Sequence, residues 1–285
     1  MVISIASGKG GTGKTTIAAS LAYSLQNSLY LDCDVEEPNG HLLLHPDFHL
    51  EERAIKTLPE IDSSKCTVCG KCAEVCEFNA LINLQSEIML IEEMCHSCGA
   101  CEYFCPEKAI NEVPKQIGVV RTGYNVDGVL CIDGVLNVGE ISAVPLIKIV
   151  KRKTRAEMIN IIDSPPGTSC SMVETVRESD YCILVTESSP FGLSDLELAV
   201  KVVQTLGVPF GVIINKYDVA YTDMVTYLKN SNIDLLMKIP FSREVAQTYS
   251  EGVLPVSKDT IMKENFIKLF QNVSNTTERN NRDGR

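Results

Sequence analysis

Nine residues near the start of the chain, GKGGTGKTT from Gly8 to Thr16, follow the pattern G-x-x-x-x-G-K-[ST] and place a second lysine, Lys9, directly after the first glycine. A loop of this kind aims backbone N–H groups at phosphate oxygens from the positive end of a helix. Gly8, Lys9, Gly10, Gly11, Thr12, Gly13, Lys14, Thr15 and Thr16 are the phosphate-binding set. Within it Lys14 reaches the β- and γ-phosphates and Thr15 ligates Mg²⁺. One lysine suffices to hold phosphate, so Lys9 needs its own explanation.

A second chemistry lies further along. Of 12 cysteines, eight fall between Cys66 and Cys105, in the runs CTVCGKCAEVCE and CHSCGACEYFCP. Each run reads C-x2-C-x2-C-x3-C. Three thiolates spaced by two residues wrap one face of a cuboidal iron–sulfur cluster, and the fourth points to the other cluster. The spacing therefore predicts one [4Fe–4S] cluster on Cys66, Cys69, Cys72 and Cys105, and a second on Cys95, Cys98, Cys101 and Cys76. Gly70 and Gly99 let the backbone pass close to the sulfides. Zinc is the weaker alternative, because zinc sites pair two short knuckles and here four cysteines recur twice. The remaining cysteines, Cys33, Cys131, Cys170 and Cys182, are scattered in apolar or strand-like contexts.

The phosphate loop must sit between a strand and a helix, and the flanks agree. MVISIAS is a short apolar run, and KTTIAASLAYSLQ is apolar at helical spacing. SLYLDCD and EMINIIDSPPG are further strands, and their carboxylates fall where a parallel sheet binds ligands. Thr15, Asp34 and Asp163 form the magnesium set. Asp163 is the partner for a metal-bound water, Asp34 orients the attacking water, and Gly167 offers a backbone N–H to the γ-phosphate. Asp32 reads equally well as a strand-end cap. Further along, Asn215 can bond an adenine edge, and Ile239 to Phe241, with Pro240 and Phe241 foremost, pack on the base. Asp218 either reads guanine or caps the helix that follows. Strands alternating with helices predict an α/β fold with a doubly wound, mostly parallel sheet and a small inserted α+β domain. The expected divisions are 1–60 and 113–273 for the nucleotide-binding part, 61–112 for the cysteine-rich insert, and a polar, disordered tail over 274–285.

The bulk properties narrow the partners. The chain has 285 residues and a formal net charge of −11, which argues against nucleic acid or an anionic membrane surface. No targeting segment or apolar stretch long enough for a membrane anchor is visible, so a cytoplasmic protein is expected. The basic run around Lys151 reads as a helix C-terminus facing its own dipole. His41, His45 and His49 are spaced by four, but Pro46 interrupts any helix through them, and they read as switch-region surface and packing residues.

The doubled-lysine loop, the Asp-x-Asp strand end and DSPPG resemble the deviant Walker A ATPases, the group of the Mrp/MinD family and the nitrogenase iron protein. DCDVEEPN, DSPPGTSC and IPFSREVAQTYSEG are similar to the Mrp/MinD-type members that carry an inserted bacterial-type ferredoxin domain, over Met1 to about Phe270. Two departures stand out: Glu77 replaces the proline expected after the first cysteine run, and Gly40 replaces a bulkier apolar residue, which implies a looser switch. The resemblance implies an ATPase that closes as a nucleotide-sandwich homodimer, with Lys9 reaching across to the partner's phosphates, and it favours ATP, with Asp218 as a cap. Three functions remain open: ATP-gated electron transfer through the clusters to a redox or metallocluster partner, a metal-cluster assembly or carrier role, and a MinD-like localisation switch. No cysteine follows Cys182 to form a labile bridging site, and the mildly amphipathic stretch TIMKENFIKLFQNVSN has only Lys258, Lys263 and Lys268 nearby, which is weak for a membrane, so the first is favoured. Only a short stretch, roughly Val35 to Asp62, separates the Asp34 switch from Cys66, which suggests how nucleotide movement reaches the clusters.

Overall fold

The structure is a computed structural model of the protein and describes residues 1–282. In chain order the elements begin with β1 (Val2–Ala6), α1 (Lys14–Ser24), β2 (Ser28–Asp32), α2 (His41–Leu44) and β3 (Asp47–Ile61). Next come α3 (Lys71–Glu74), β4 (Leu81–Asn83), β5 (Ile88–Leu90), α4 (Ala100–Tyr103), β6 (Ile110–Tyr124) and β7 (Leu130–Leu136). The chain continues through α5 (Val144–Lys151), β8 (Ile159–Asp163), α6 (Cys170–Val176), β9 (Tyr181–Glu187), α7 (Pro190–Leu206), β10 (Phe210–Tyr217) and α8 (Asp223–Asn230). It ends with β11 (Leu235–Pro240), α9 (Arg243–Ser250), α10 (Pro255–Lys258) and α11 (Thr260–Arg282). Two compact units result, one of residues 1–51, 120–135 and 147–285, the other of residues 52–119 and 136–146.

The sheet has the order β11-β10-β9-β1-β8-β2-β7-β6-β3. From β11 to β7 every pairing is parallel. These strands read as continuous apolar runs because both faces are covered. Along β9, Tyr181, Ile183 and Val185 join the core built with Ile17 and Leu21 of α1 and Phe266 and Leu269 of α11. The alternate residues Cys182 and Leu184 face the core built with Met172 of α6, Leu196 and Val203 of α7, and Met224 of α8. The sheet is therefore doubly wound, and β1 sits where the winding changes direction. The C-terminal strand ends beside it form the crevice in which such sheets bind ligands.

The disordered tail expected from Ser274 is not found through Arg282. Polar composition masks a spacing of three and four in Phe266, Leu269, Val273 and Thr277, all buried. Packing of that stripe onto the core that includes α1 offsets the cost of ordering the helix.

The second unit is a near two-fold repeat. Gly70 (φ 77°) starts α3 and Gly99 (φ 72°) starts α4, both in the left-handed region. Val68 and Ser97 also share positive φ, as do Asn79 and Lys108. The strands β4 and β5 pair antiparallel, Leu81 opposite Leu90. Cys72, Leu81 and Ile110 form one small cluster of this unit, with Ile61, Ile88 and Leu90 against it, and Leu58, Ile117 and Leu146 are buried elsewhere in it.

Candidate functional site

The loop from Gly8 to Thr16 leaves β1 and turns into α1 through two glycines with positive φ, Gly11 (78°) and Gly13 (88°). Gly13 also lies against the Asn215 amide, where a Cβ would collide. Asn215 Nδ2 donates to the Thr12 carbonyl at 2.8 Å, and Lys216 Nζ donates to the Gly11 carbonyl at 2.9 Å. The end of β10 thus braces the loop from outside. Thr12 Oγ1 is buried and has no hydrogen-bond partner among the described residues, nor has Ser164 Oγ beside Asp163. Gly10 completes the turn at the loop's outer side.

Lys14 does not point into open space. Its Nζ lies 2.5 Å from Asp163 Oδ1, and both side chains are buried. Burial pulls the ammonium toward neutrality, but Asp163, with Asp32 and Asp34 behind it, outweighs that and holds its pKa above the usual value. Thr15 Oγ1 lies 3.5 Å from the same ammonium. Thr15 and Asp163 therefore meet at Lys14, and Asp34 lies near enough to feel its charge.

Asp34 is half-buried, and burial, opposed by Lys14 and reinforced by Asp163, pushes its pKa up to about 6. Asp32 acts as the cap of the strand end: its carboxylate accepts the backbone N–H groups of Asp34 at 3.1 Å and Gly40 at 2.9 Å. Burial and the neighbouring Asp163 carboxylate push the Asp32 pKa well above the usual carboxylate range. Gly167 (φ 90°) gives its N–H to the Ser7 carbonyl at 3.0 Å, so in this conformation that group is engaged within the chain.

Lys9 is likewise engaged. Its Nζ lies 2.7 Å from Glu187 Oε1 and 3.9 Å from Asp195, while Lys216 holds the other Glu187 oxygen at 3.2 Å. Glu187, at the end of β9, escaped the sequence reading, although an acidic residue closing a parallel strand was the available signal.

Beside the loop lies an apolar cavity of about 390 Å³. Its walls include Thr16, Asn215, Pro240 and Phe241, together with Tyr249 and Phe266, which the sequence did not single out. Asp218 is not the helix cap. Its Oδ1 accepts the Ala220 N–H at 2.9 Å, and α8 starts five residues beyond it, after Thr222. His45 and His49 are surface residues, His45 meeting the Gly252 carbonyl and His49 stacking on Tyr124, while His41 is half-buried. Lys151 ends α5 as expected, but its ammonium meets the Glu174 and Arg177 carbonyls at the end of α6, so it serves a neighbouring helix.

Gly40 is not a point of looseness. Its backbone is ordinary right-handed helix (φ −61°), yet a Cβ there would strike the ring and hydroxyl of Tyr30.

In the second unit the structure gathers the cysteines into two cavities. One is lined by Cys66, Cys69, Cys72 and Cys105, the other by Cys76, Cys95, Cys98 and Cys101. The fourth cysteine of each run accepts a backbone N–H at matching places, Ala80 to Cys76 Sγ and Ala109 to Cys105 Sγ, both at 3.3 Å. Among the described residues no three His, Cys, Asp or Glu side chains close in on one point as a single metal ion requires.

Residues 3–256 match the family described as the CobQ/CobB/MinD/ParA nucleotide binding domain. Two uncharacterized proteins of Methanocaldococcus jannaschii are each 30% identical to the chain, one over 276 residues (95% of this chain, 94% of the relative) and the other over 282 residues (95% of each). The septum site-determining protein MinD of Pyrococcus horikoshii, complexed with Mg-ADP, has the same fold, with a TM-score of 0.59 and 20% identity over 95% of both chains. An ATP complex of Cyanothece McdA aligns with a TM-score of 0.55 and 17% identity, again over 95% of both chains. With the loop, the paired strand-end carboxylates and the apolar cavity beside them, these matches place the chain in the CobQ/CobB/MinD/ParA nucleotide-binding domain family.

Proposed function

We propose that this chain is an ATP-binding and ATP-hydrolysing iron–sulfur protein in which a nucleotide-driven switch is coupled to electron transfer through two [4Fe–4S] clusters. What carries the reading is the presence, in one chain, of a phosphate loop and two cavities that each collect four cysteines from both sequence runs. The clusters, when bound, supply one-electron chemistry at low or moderate potential. The remaining roles belong to side chains. Lys14 exchanges Asp163 for the β- and γ-phosphates. Asp163 and Thr15, with Asp34, hold Mg²⁺. Asp34 orients the attacking water, for which a carboxylate with a pKa near 6 is ionised at neutral pH. Lys9 leaves Glu187 and contributes its charge across a nucleotide-sandwich homodimer, as an arginine finger would.

Anaerobic purification is expected to yield about eight Fe and eight acid-labile sulfides per chain; stoichiometric zinc without a brown chromophore overturns the cluster reading. Coupling is tested by redox titration with and without a non-hydrolysable ATP analogue. A typical coupling of about 1–3 kcal/mol changes nucleotide affinity roughly 5–150-fold and shifts a one-electron midpoint by about 40–130 mV. Identical midpoints would favour a carrier role. A second reading, a MinD-like localisation switch, draws on the likeness to MinD folds. No helix among the described residues is long and apolar enough to cross a membrane, so such a switch would act through a docking surface, and nucleotide-dependent vesicle binding would reveal it.

A further inference from the structure

Tyr30 lies on β2, two residues before Asp32, and is buried. Its hydroxyl stands 3.0 Å from Asp163 Oδ2 and 3.4 Å from Asp32 Oδ2. Each carboxylate has a second engagement. Asp163 holds Lys14 of the phosphate loop through its other oxygen, and Asp32 receives the N–H groups of Asp34 and Gly40 from the loop that follows β2. One phenol thus joins the loop that grips phosphate to the loop that carries Asp34. The chain makes room for it at Gly40, whose absent Cβ would otherwise overlap the Tyr30 hydroxyl and ring carbons. The backbone at Gly40 does not demand glycine, so the ring does.

Resting on the nucleotide-binding reading above, we propose that Tyr30 is a positioning residue for nucleotide hydrolysis: its hydroxyl orients the Asp163 carboxylate and ties it, through Asp32, to the 33–40 loop, and Gly40 is the space that admits it. The hydroxyl has one proton to give and two acceptors within reach. While Lys14 neutralises Asp163, the shorter contact to Asp163 is a shared load. When Lys14 turns to phosphate, Tyr30 becomes the remaining donor to Asp163 and keeps that carboxylate aimed at the metal position. An apolar residue at position 30 would fill the volume but would leave Asp163 to rotate and Asp32 to hold the loop alone.

Tyr30→Phe removes the proton donor and preserves the ring. Two readouts are taken. In nucleotide-free protein, hydrogen exchange at the Asp34 and Gly40 amides is expected to quicken about tenfold, the size of one hydrogen bond to a charged group, while amides in β1 and β9 are unchanged. In the hydrolysis assay, the MgCl₂ concentration for half-maximal rate is expected to rise by about the same factor, with ATP affinity in EDTA unchanged. A purely packing role would move neither selectively. If the two loop amides exchange as in wild type, or quicken only in step with the whole sheet, the inference is overturned; so it is if loop exchange quickens and the MgCl₂ dependence stays put. Gly40→Ala alone should destabilise the chain, and Tyr30→Leu/Gly40→Ala should restore its melting temperature without restoring the MgCl₂ dependence. Restoration of both would also overturn the proposal. A wild-type chain that binds no ATP would sink the nucleotide reading itself, and the exchange result would still decide whether Tyr30 holds the loop.

Discussion

On the nucleotide-sandwich homodimer proposed above, replacing Glu187 by Gln should release Lys9 and favour dimerisation. In the structure Lys9 is bound within its own chain by a 2.7 Å contact to Glu187, with the two side chains 29% and 23% exposed. A partly exposed ion pair of this kind holds about 0.5–1 kcal/mol. That sum is the cost of freeing Lys9 before it can reach a partner's phosphates. A homodimer frees one Lys9 from each protomer, about 1–2 kcal/mol in all; since 1.4 kcal/mol corresponds to tenfold, Glu187→Gln should lower the protein concentration for half-maximal ATP-dependent dimerisation by about five- to twenty-five-fold, measured by sedimentation velocity. Lys216 shares the same carboxylate at 3.2 Å and also holds the Gly11 carbonyl, so Lys216→Met serves as a control for loop loosening. In a Lys9→Ala background most of the effect of Glu187→Gln should vanish, and what remains should match the Lys216 control. Raising ionic strength should shrink the difference between wild type and Glu187→Gln. If Glu187→Gln leaves dimerisation unchanged while Lys9 remains essential, the cis pair does not compete with the trans role and the argument fails.

Lys14→Ala should abolish nucleotide binding and also lower the stability of the nucleotide-free protein by about 3–5 kcal/mol, read from urea midpoints, because it strands a fully buried Asp163 carboxylate; a stability loss under 1 kcal/mol would show that the carboxylate is relieved by other donors. Asp34 keeps its proton in the folded chain up to about pH 6 against 3.8 for the free group, so the folded state binds more protons in that window and stability falls as pH rises through it. Asp34→Asn should flatten that part of the curve, and an unaltered slope would assign it elsewhere. Cys76→Ser should remove the same spectroscopic signal as Cys98→Ser, about half of the iron, although Cys76 belongs to the first run; loss of the Cys66-dependent signal instead would contradict the crossed arrangement.

What could be read in advance depended on how local the signal was. The phosphate loop is a pattern of consecutive residues with a fixed backbone requirement, and its flanking strand and helix follow from apolar spacing. The cysteine partition was legible because x2-x2-x3 spacing dictates which thiols face the same way. The partners of Lys9 were not legible, since Glu187 lies far along the chain and only the adjacency of β1 and β9 brings it near. Gly40 misled for a similar reason: it read as slackness until Tyr30 was seen filling the space. Asp218 looked like a cap because the start of α8 falls five residues later than its letters suggest. The tail looked disordered because polar residues outnumber the buried stripe that orders it.

On the proposed cluster reading, the crossing of the fourth cysteines bears on how the two cavities are filled. Cys76 and the trio Cys95, Cys98 and Cys101 all lie in sequence between Cys72 and Cys105, so one ligand set is nested inside the other. Closing either set shortens the free loop left to the other, and since each doubling of loop length costs about 0.6 kcal/mol, it eases the second closure by about 1 kcal/mol. Filling the two cavities should therefore be mildly cooperative. By the same logic neither repeat can be cut away on its own: each cavity takes its fourth cysteine from the other run, so the two halves of the unit are inseparable.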